Sequence, residues 1–269
     1  MSARRRRVTQ LAAGGALCAG LVVACSSIGD PDVPFALEFT RLPWPAVVYG
    51  DTLRDSTGAV APLSATVLNG AGDTLATAAP AYIALDSGLT VASSGVVTAP
   101  RWQETAPRVV AVLGRLQSRP LPLNITRRPD SVFAAASTPV TVEYDFPVSL
   151  ASNTSAAVQV RIRSRQTIPN VTGDSVTRGW PVRFTLLYAP PRTVMDSVLV
   201  IGESGTTPTT VDTTDGSGLA GVRVRVVPQA GQTVGDSVVL QATATHRGAP
   251  LPGSPVRLVV RLRRATVTP

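Results

Sequence analysis

From residue 35 onward, apolar and polar positions alternate in short runs that stop at Gly, Pro, Asp or Asn. The clearest runs in the first half are FALEFT (35–40), LSATVLN (63–69), AYIALD (81–86), GVVTA (95–99), RVVAVLG (108–114) and LPLNIT (121–126). The second half has PVTVEY (139–144), AAVQVRI (156–162), PVRFTLLY (181–188), SVLVIG (197–202), LAGVRVRVV (219–227), SVVLQATATH (237–246) and PVRLVVRLR (255–263). A period of two is that of a β-strand, whose successive side chains point to opposite faces. No window beyond the N-terminal segment carries the helical period of about 3.6 residues. The chain is therefore expected to be all-β, and strands spaced roughly 8–12 residues apart predict sandwiches. Between the runs a turn recurs: Gly-Asp-Thr-Leu at 50–53 and 72–75, Gly-Asp-Ser-Val at 173–176 and 235–238, and Asp-Ser-Val at 130–132 and 196–198. Gly supplies a positive φ, Asp caps the backbone just after it, and a Val or Leu opens the next strand. The polar, Pro-containing stretch 126–130 is the expected boundary between two units, 35–126 and 127–269.

The first 25 residues, MSARRRRVTQLAAGGALCAGLVVAC, break this pattern. Arg4 to Arg7 precede 17 uncharged residues, Val8 to Ala24. This is the layout of a secretory signal, and a helix of that length is about 25 Å, barely the hydrocarbon thickness. Val22-Val23-Ala24-Cys25 resembles the bacterial lipobox. The resemblance implies a leader at 1–24 removed before Cys25, lipid on the Cys25 thiol and a tether at 25–34. Two or three acyl chains anchor stably where one does not. Cys18 fits less well, because Gly15 stands where an aliphatic residue is needed. The alternatives are an ordinary secretory leader, a retained transmembrane anchor, or twin-arginine export led by RRRRVTQL. The expected place is the cell envelope, membrane-anchored. Ser26, not Asp, follows Cys25, which favours the outer membrane or cell surface over the inner membrane.

Charge changes the picture less than it first suggests. The formal charge is +8, but the leader holds four arginines and no acid, so the chain from Cys25 carries +4. Every one of the 25 basic residues is Arg. Without Lys there is no Walker A loop, Schiff-base lysine or Ser-x-x-Lys site. One His cannot build a paired-His zinc centre. With Cys18 removed and Cys25 acylated, no disulfide is expected, and the units must hold by burial alone.

Two stretches resemble known families. Val48-Tyr49-Gly50-Asp51-Thr52-Leu53, LSATVLNGAGDTL (63–75) and Ser94-Gly95-Val96-Val97-Thr98-Ala99 resemble the group-two bacterial immunoglobulin-like domain. RDSTGAVAP (54–62) stands as an insertion, and Tyr82 takes the place of the usual central Trp. Gly179-Trp180-Pro181-Val182-Arg183-Phe184-Thr185, TTDGSGLAGVRVRV (213–226) and GDSVVLQATA (235–244) are similar to the invasin/intimin-type immunoglobulin-like domain, with residues 130–175 matching poorly. The resemblances imply two tandem Ig-like sandwiches used as spacers or binding modules, with no catalytic residues to carry over.

Several residues are candidates for chemistry. Asp212 and Asp215 in DTTDGSG could suggest calcium, but calcium takes about six to eight oxygens, and a tight turn accounts for the spacing. His246 would have to serve any Ser-based triad; an exposed strand-end His accounts for it. Trp44, Trp102 and Trp180 are expected to be buried at a sandwich end or a junction. The arginines are patterned: Arg161, Arg163 and Arg165 alternate, as do Arg223 and Arg225, and Arg257, Arg261 and Arg263 share one parity. Each set should face away from the core, and on a shared sheet they would form one basic face. The expected function is a non-catalytic envelope lipoprotein presenting Ig-like domains as spacer or adhesion module. The alternatives are a glycan- or polyanion-binding protein using the arginine face, and an envelope enzyme of unrecognised type. No cofactor and no metal is expected. The expected partners are the membrane through the lipid and an envelope glycan or protein; nucleic acid is not expected, for want of an aromatic stacking platform.

Overall fold

A computed structural model of the chain describes residues 31–136, 139–144, 153–172, 175–188, 198–205, 207–227 and 236–265. Cys18, Cys25 and the rest of the leader lie outside the described residues, which contain strands and turns but no helix. The first ten strands are β1 (Ala36–Glu38), β2 (Ala46–Val48), β3 (Thr66–Leu68), β4 (Ala81–Ala84), β5 (Thr90–Val91), β6 (Val97–Thr98), β7 (Arg108–Leu113), β8 (Leu116–Gln117), β9 (Leu121–Pro122) and β10 (Asn124–Thr126). The rest are β11 (Ser131–Ala134), β12 (Val140–Tyr144), β13 (Val158–Arg163), β14 (Pro181–Tyr188), β15 (Val198–Gly202), β16 (Val211–Thr213), β17 (Leu219–Val226), β18 (Ser237–Thr243), β19 (Thr245–His246), β20 (Ala249–Pro250) and β21 (Val256–Arg264). Strands up to β10 pair only with one another, and so do strands from β11 on.

The later strands form two sheets, in the orders β11-β13-β17-β15 and β12-β21-β18-β14-β16. Lettered along the chain, these are the A-B-E-D and A′-G-F-C sheets of an immunoglobulin sandwich, with β12 running parallel to β21 as the extra A′ strand and β16 added at the edge beside β14. The earlier strands repeat the plan in shorter pieces. β1 pairs with β3, β5 with β6 and β4 with β7, while β2 runs parallel to β10. The protein is all-β, two Ig-like sandwiches in tandem.

Burial follows the alternation in the sequence. In β21, Val256, Leu258, Val260 and Leu262 are buried and the residues between them are exposed. Opposite them stand Val160, Ile162, Val222 and Val224 of the other sheet, which with Phe184, Val238 and Leu240 form one continuous core. The earlier unit has its own core around Phe39, Leu53, Val97, Val109, Leu123 and Ile125. Each fully buried Val, Leu, Ile or Phe is worth about 1.5–3 kcal/mol. Aliphatics dominate because aromatic residues are only 4% of the chain.

β2 departs from the rule. All three of its residues are buried. Val47 belongs to the earlier core, while Ala46 and Val48 belong to the later one. Its two faces serve two different cores, so no polar position is left to mark it as a strand.

Candidate functional site

Two features stand out: the arginine rows and the junction between the sandwiches. β13 reads Val-Gln-Val-Arg-Ile-Arg, and Val158, Val160 and Ile162 are buried while Arg163 is exposed and Arg161 half-buried. Arg165 continues the parity just past the strand and is exposed. On β17 the half-buried Arg223 and Arg225 alternate with buried Val222, Val224 and Val226. β13 and β17 pair directly, with Arg161 opposite Leu219. Arg257, Arg261 and Arg263 are exposed on β21, which lies in the other sheet. The eight arginines are therefore divided between the two outward faces of the sandwich, five on one and three on the other. Sequence gives the parity of each strand but not the sheet it joins, because β21 finds its neighbour β12 about 120 residues away through the Val140–Val260 register.

Among the described residues, the eight lack the ion pairs that five other arginines, Arg54, Arg108, Arg128, Arg178 and Arg247, make. The Nε atoms of Arg161 and Arg223 are buried without a hydrogen-bond partner among the described residues. The Arg163 guanidinium lies over the Phe133 ring at 4.8 Å, which fixes its position.

The junction gathers all three tryptophans. Trp180 is buried, meets Trp44 edge-on at 5.7 Å and His246 at 5.7 Å, and donates from Nε1 to the Thr245 carbonyl at 3.0 Å. Trp102 meets Tyr49 edge-on at 6.5 Å and lies under the Arg178 guanidinium at 5.2 Å. His246, expected to be exposed, is half-buried; burial, reinforced by the Arg247 charge, holds its imidazole below the usual range. Arg178 comes from the later unit and grips the earlier one. Its backbone N–H donates to Thr126 Oγ1 at 2.9 Å, its Nε to the Ile125 carbonyl at 3.3 Å, and its Nη1 to Glu104 Oε2 at 3.3 Å. Gln166 Nε2 donates to the Tyr49 carbonyl at 3.0 Å.

Beside Trp44, Trp180 and His246, in the same cavity, Arg247 Nη2 donates to Asp51 Oδ2 at 2.7 Å, and Arg54 contacts the same carboxylate. Partial burial pushes the Asp51 carboxyl up, but hydrogen bonds from Arg247, the Thr52 N–H and Arg54 outweigh it and hold it at about 2. The 54–62 turn is the brace here. A Cβ on Gly58 would lie 2.3 Å from the Arg247 backbone carbonyl carbon, and one on Gly248 would lie 2.3 Å from the Thr57 carbonyl oxygen. Both glycines have positive φ, so two backbones cross at a distance only glycine permits. Arg178, Gln166 and Arg247 carried no signal in the sequence, since their partners are far away along the chain.

DTTDGSG is a turn: Asp215 Oδ1 accepts the Ser217 and Leu219 N–H groups at 2.8 and 3.0 Å, and Gly218 has φ 73°. Asp212 Oδ2 accepts the Gly221 N–H at 2.8 Å, so the two carboxylates serve different segments.

No family model matches the chain, and no curated protein matches it. Among solved structures it is similar to the Yersinia pseudotuberculosis adhesin InvE, at 15% identity over 74% of this chain and 53% of that one, TM-score 0.34. It is similar to domains 5-6 of the S-layer protein SbsC, at 14% identity over 87% of this chain and 98% of that one, TM-score 0.25. It is also similar to FdeC, an Escherichia coli adhesin, at 13% identity over 84% and 62%, TM-score 0.25. The chain spans about half the length of the InvE structure. The Ig-like assignment stands on strand order and register.

Proposed function

We propose that this chain is a non-catalytic lipoprotein of the cell envelope, anchored by acyl chains on Cys25, whose two Ig-like units act together as a stiff spacer holding a binding surface away from a membrane. The observation that carries the spacer reading is the junction. Tryptophans, a buried β2 strand shared by two cores, Arg178 and the Asp51–Arg247 pair tie 35–126 to 127–269, where a flexible array would have a polar linker. The lipobox carries the anchoring reading, and the outer membrane or cell surface is the favoured place.

Two measurements test the two parts. With the native leader, wild-type protein is expected in the membrane fraction carrying acyl mass on residue 25, and Cys25→Ala in the soluble fraction or still bearing its leader. An unmodified Cys25 thiol in the wild type would overturn the anchor. Spin labels on Thr77→Cys and Ser217→Cys, both exposed, should give a single narrow distance distribution. A broad one would overturn the spacer.

A further inference from the structure

Arg161, Arg163 and Arg165 line one groove of about 480 Å³, together with Ser131, Ser164 and Ser175. Residues two apart on a strand stand roughly 7 Å apart, so Arg161 and Arg163 form a row of positive charge along β13 that Arg165 extends just past the strand's end. No acid lines the groove among the described residues. Asp130, beside it, is held by Arg128 Nε at 3.0 Å and accepts the Arg165 backbone N–H at 2.6 Å through its other oxygen. Its charge is thus turned toward backbone and toward a different arginine. Arg161 is half-buried, with its Nε–H buried and without a partner among the described residues, and lines the groove with the rest of its side chain. Arg163 is held by Phe133, so less rotamer freedom is lost when it binds.

From these observations we propose that the Arg161, Arg163 and Arg165 row, with the Ser131 and Ser175 hydroxyls, binds the oxyanions of an acidic polysaccharide. The guanidinium fork matches carboxylate, sulfate and phosphate oxygens, and a row along one strand and just past it matches a linear chain bearing them at intervals. A lipid surface fits less well. Membrane-docking faces pair basic residues with exposed apolar ones. The large exposed apolar residues, among them Phe35, Ile83, Leu187 and Val259, do not line this groove. This site is independent of the spacer reading and of the anchor.

The test uses the full chain purified in detergent, with a heparin oligosaccharide and polygalacturonate as probes, dextran as neutral control and phosphatidylglycerol vesicles as the competing surface. Arg163→Gln with Arg165→Gln, both exposed and remote from the core, should weaken binding of an acidic probe by roughly tenfold or more. Arg261→Gln with Arg263→Gln, the same charge change on the opposite sheet, should change it by less than about twofold. Raising salt to about 0.5 M should weaken wild-type binding. Equal losses in the two double variants would overturn the proposal, as would no binding to either acidic probe. Vesicle binding abolished by the β13 variant without glycan binding would overturn it in favour of a lipid surface.

Discussion

Asp51→Asn tests whether the Asp51–Arg247 contact closes the junction. In the folded chain the Asp51 carboxyl lies at about 2 instead of its ordinary 3.8. At 1.36 kcal/mol per pH unit, that difference corresponds to at most roughly 2.4 kcal/mol. Arg247 is 54% exposed, so solvent and salt screen the pair, and a contribution of about 1 kcal/mol is expected. A carboxyl with a depressed folded pKa stabilises above its unfolded pKa, and that stabilisation is lost as pH falls toward the folded one. The wild type should therefore be about 1 kcal/mol more stable than Asp51→Asn at pH 7, with the gap closing between about pH 5 and pH 2. Other carboxylates titrate over the same range, so the readout is the difference between the two proteins, not either curve alone. Urea titration followed by tryptophan fluorescence suits the question, because all three tryptophans lie at the junction. Parallel stability curves across the whole pH range would refute the reasoning, as would a gap that widens in acid.

Three further outcomes follow from the same geometry. Trp180→Ala should cost about 3–5 kcal/mol by denaturation, since Trp180 is buried and its indole packs on both Trp44 and His246. Gly58→Ala should destabilise by more than Gly50→Ala, although both have positive φ: a Cβ at 58 meets the Arg247 backbone, while nothing lies within 4 Å of one at 50. The φ cost is about 1–2 kcal/mol at each, and the excess at 58 measures the brace, so equal losses would argue against it. Arg178→Ala should loosen the junction locally around Ile125 and Thr126 while the shared β2 core holds, seen as increased hydrogen exchange at Ile125 and Thr126 with β18 and β21 still protected.

Which parts of the fold could be read in advance depended on whether a strand has one wet face. β13, β17, β18 and β21 alternate because one side packs on the core and the other meets water, and their runs were visible. β2 has no wet face and β11 (Ser131–Ala134) is too short to show a period, so neither stands out as an alternating run, although the Asp-Ser-Val turn marks where β11 opens. The outward parity of the arginines was legible for the same local reason. Their division between two sheets was not, since pairings such as Val140 with Val260 depend on the whole topology. The junction was least legible: Trp44, Trp180 and His246 are brought together from three distant segments, and a Pro-flanked Trp looks the same in sequence whether it faces solvent or another aromatic ring.

The shared strand β2 also bears on modularity. Its hydrogen bonds belong to one sandwich and two of its three side chains to the core of the other. A fragment cut near Arg128 would leave Val132, Trp180 and Leu251 without the Ala46 and Val48 that complete their cluster. Truncations there should be sticky and poorly behaved, and duplication or exchange of one sandwich alone would carry a raw apolar scar. The heritable unit is the pair.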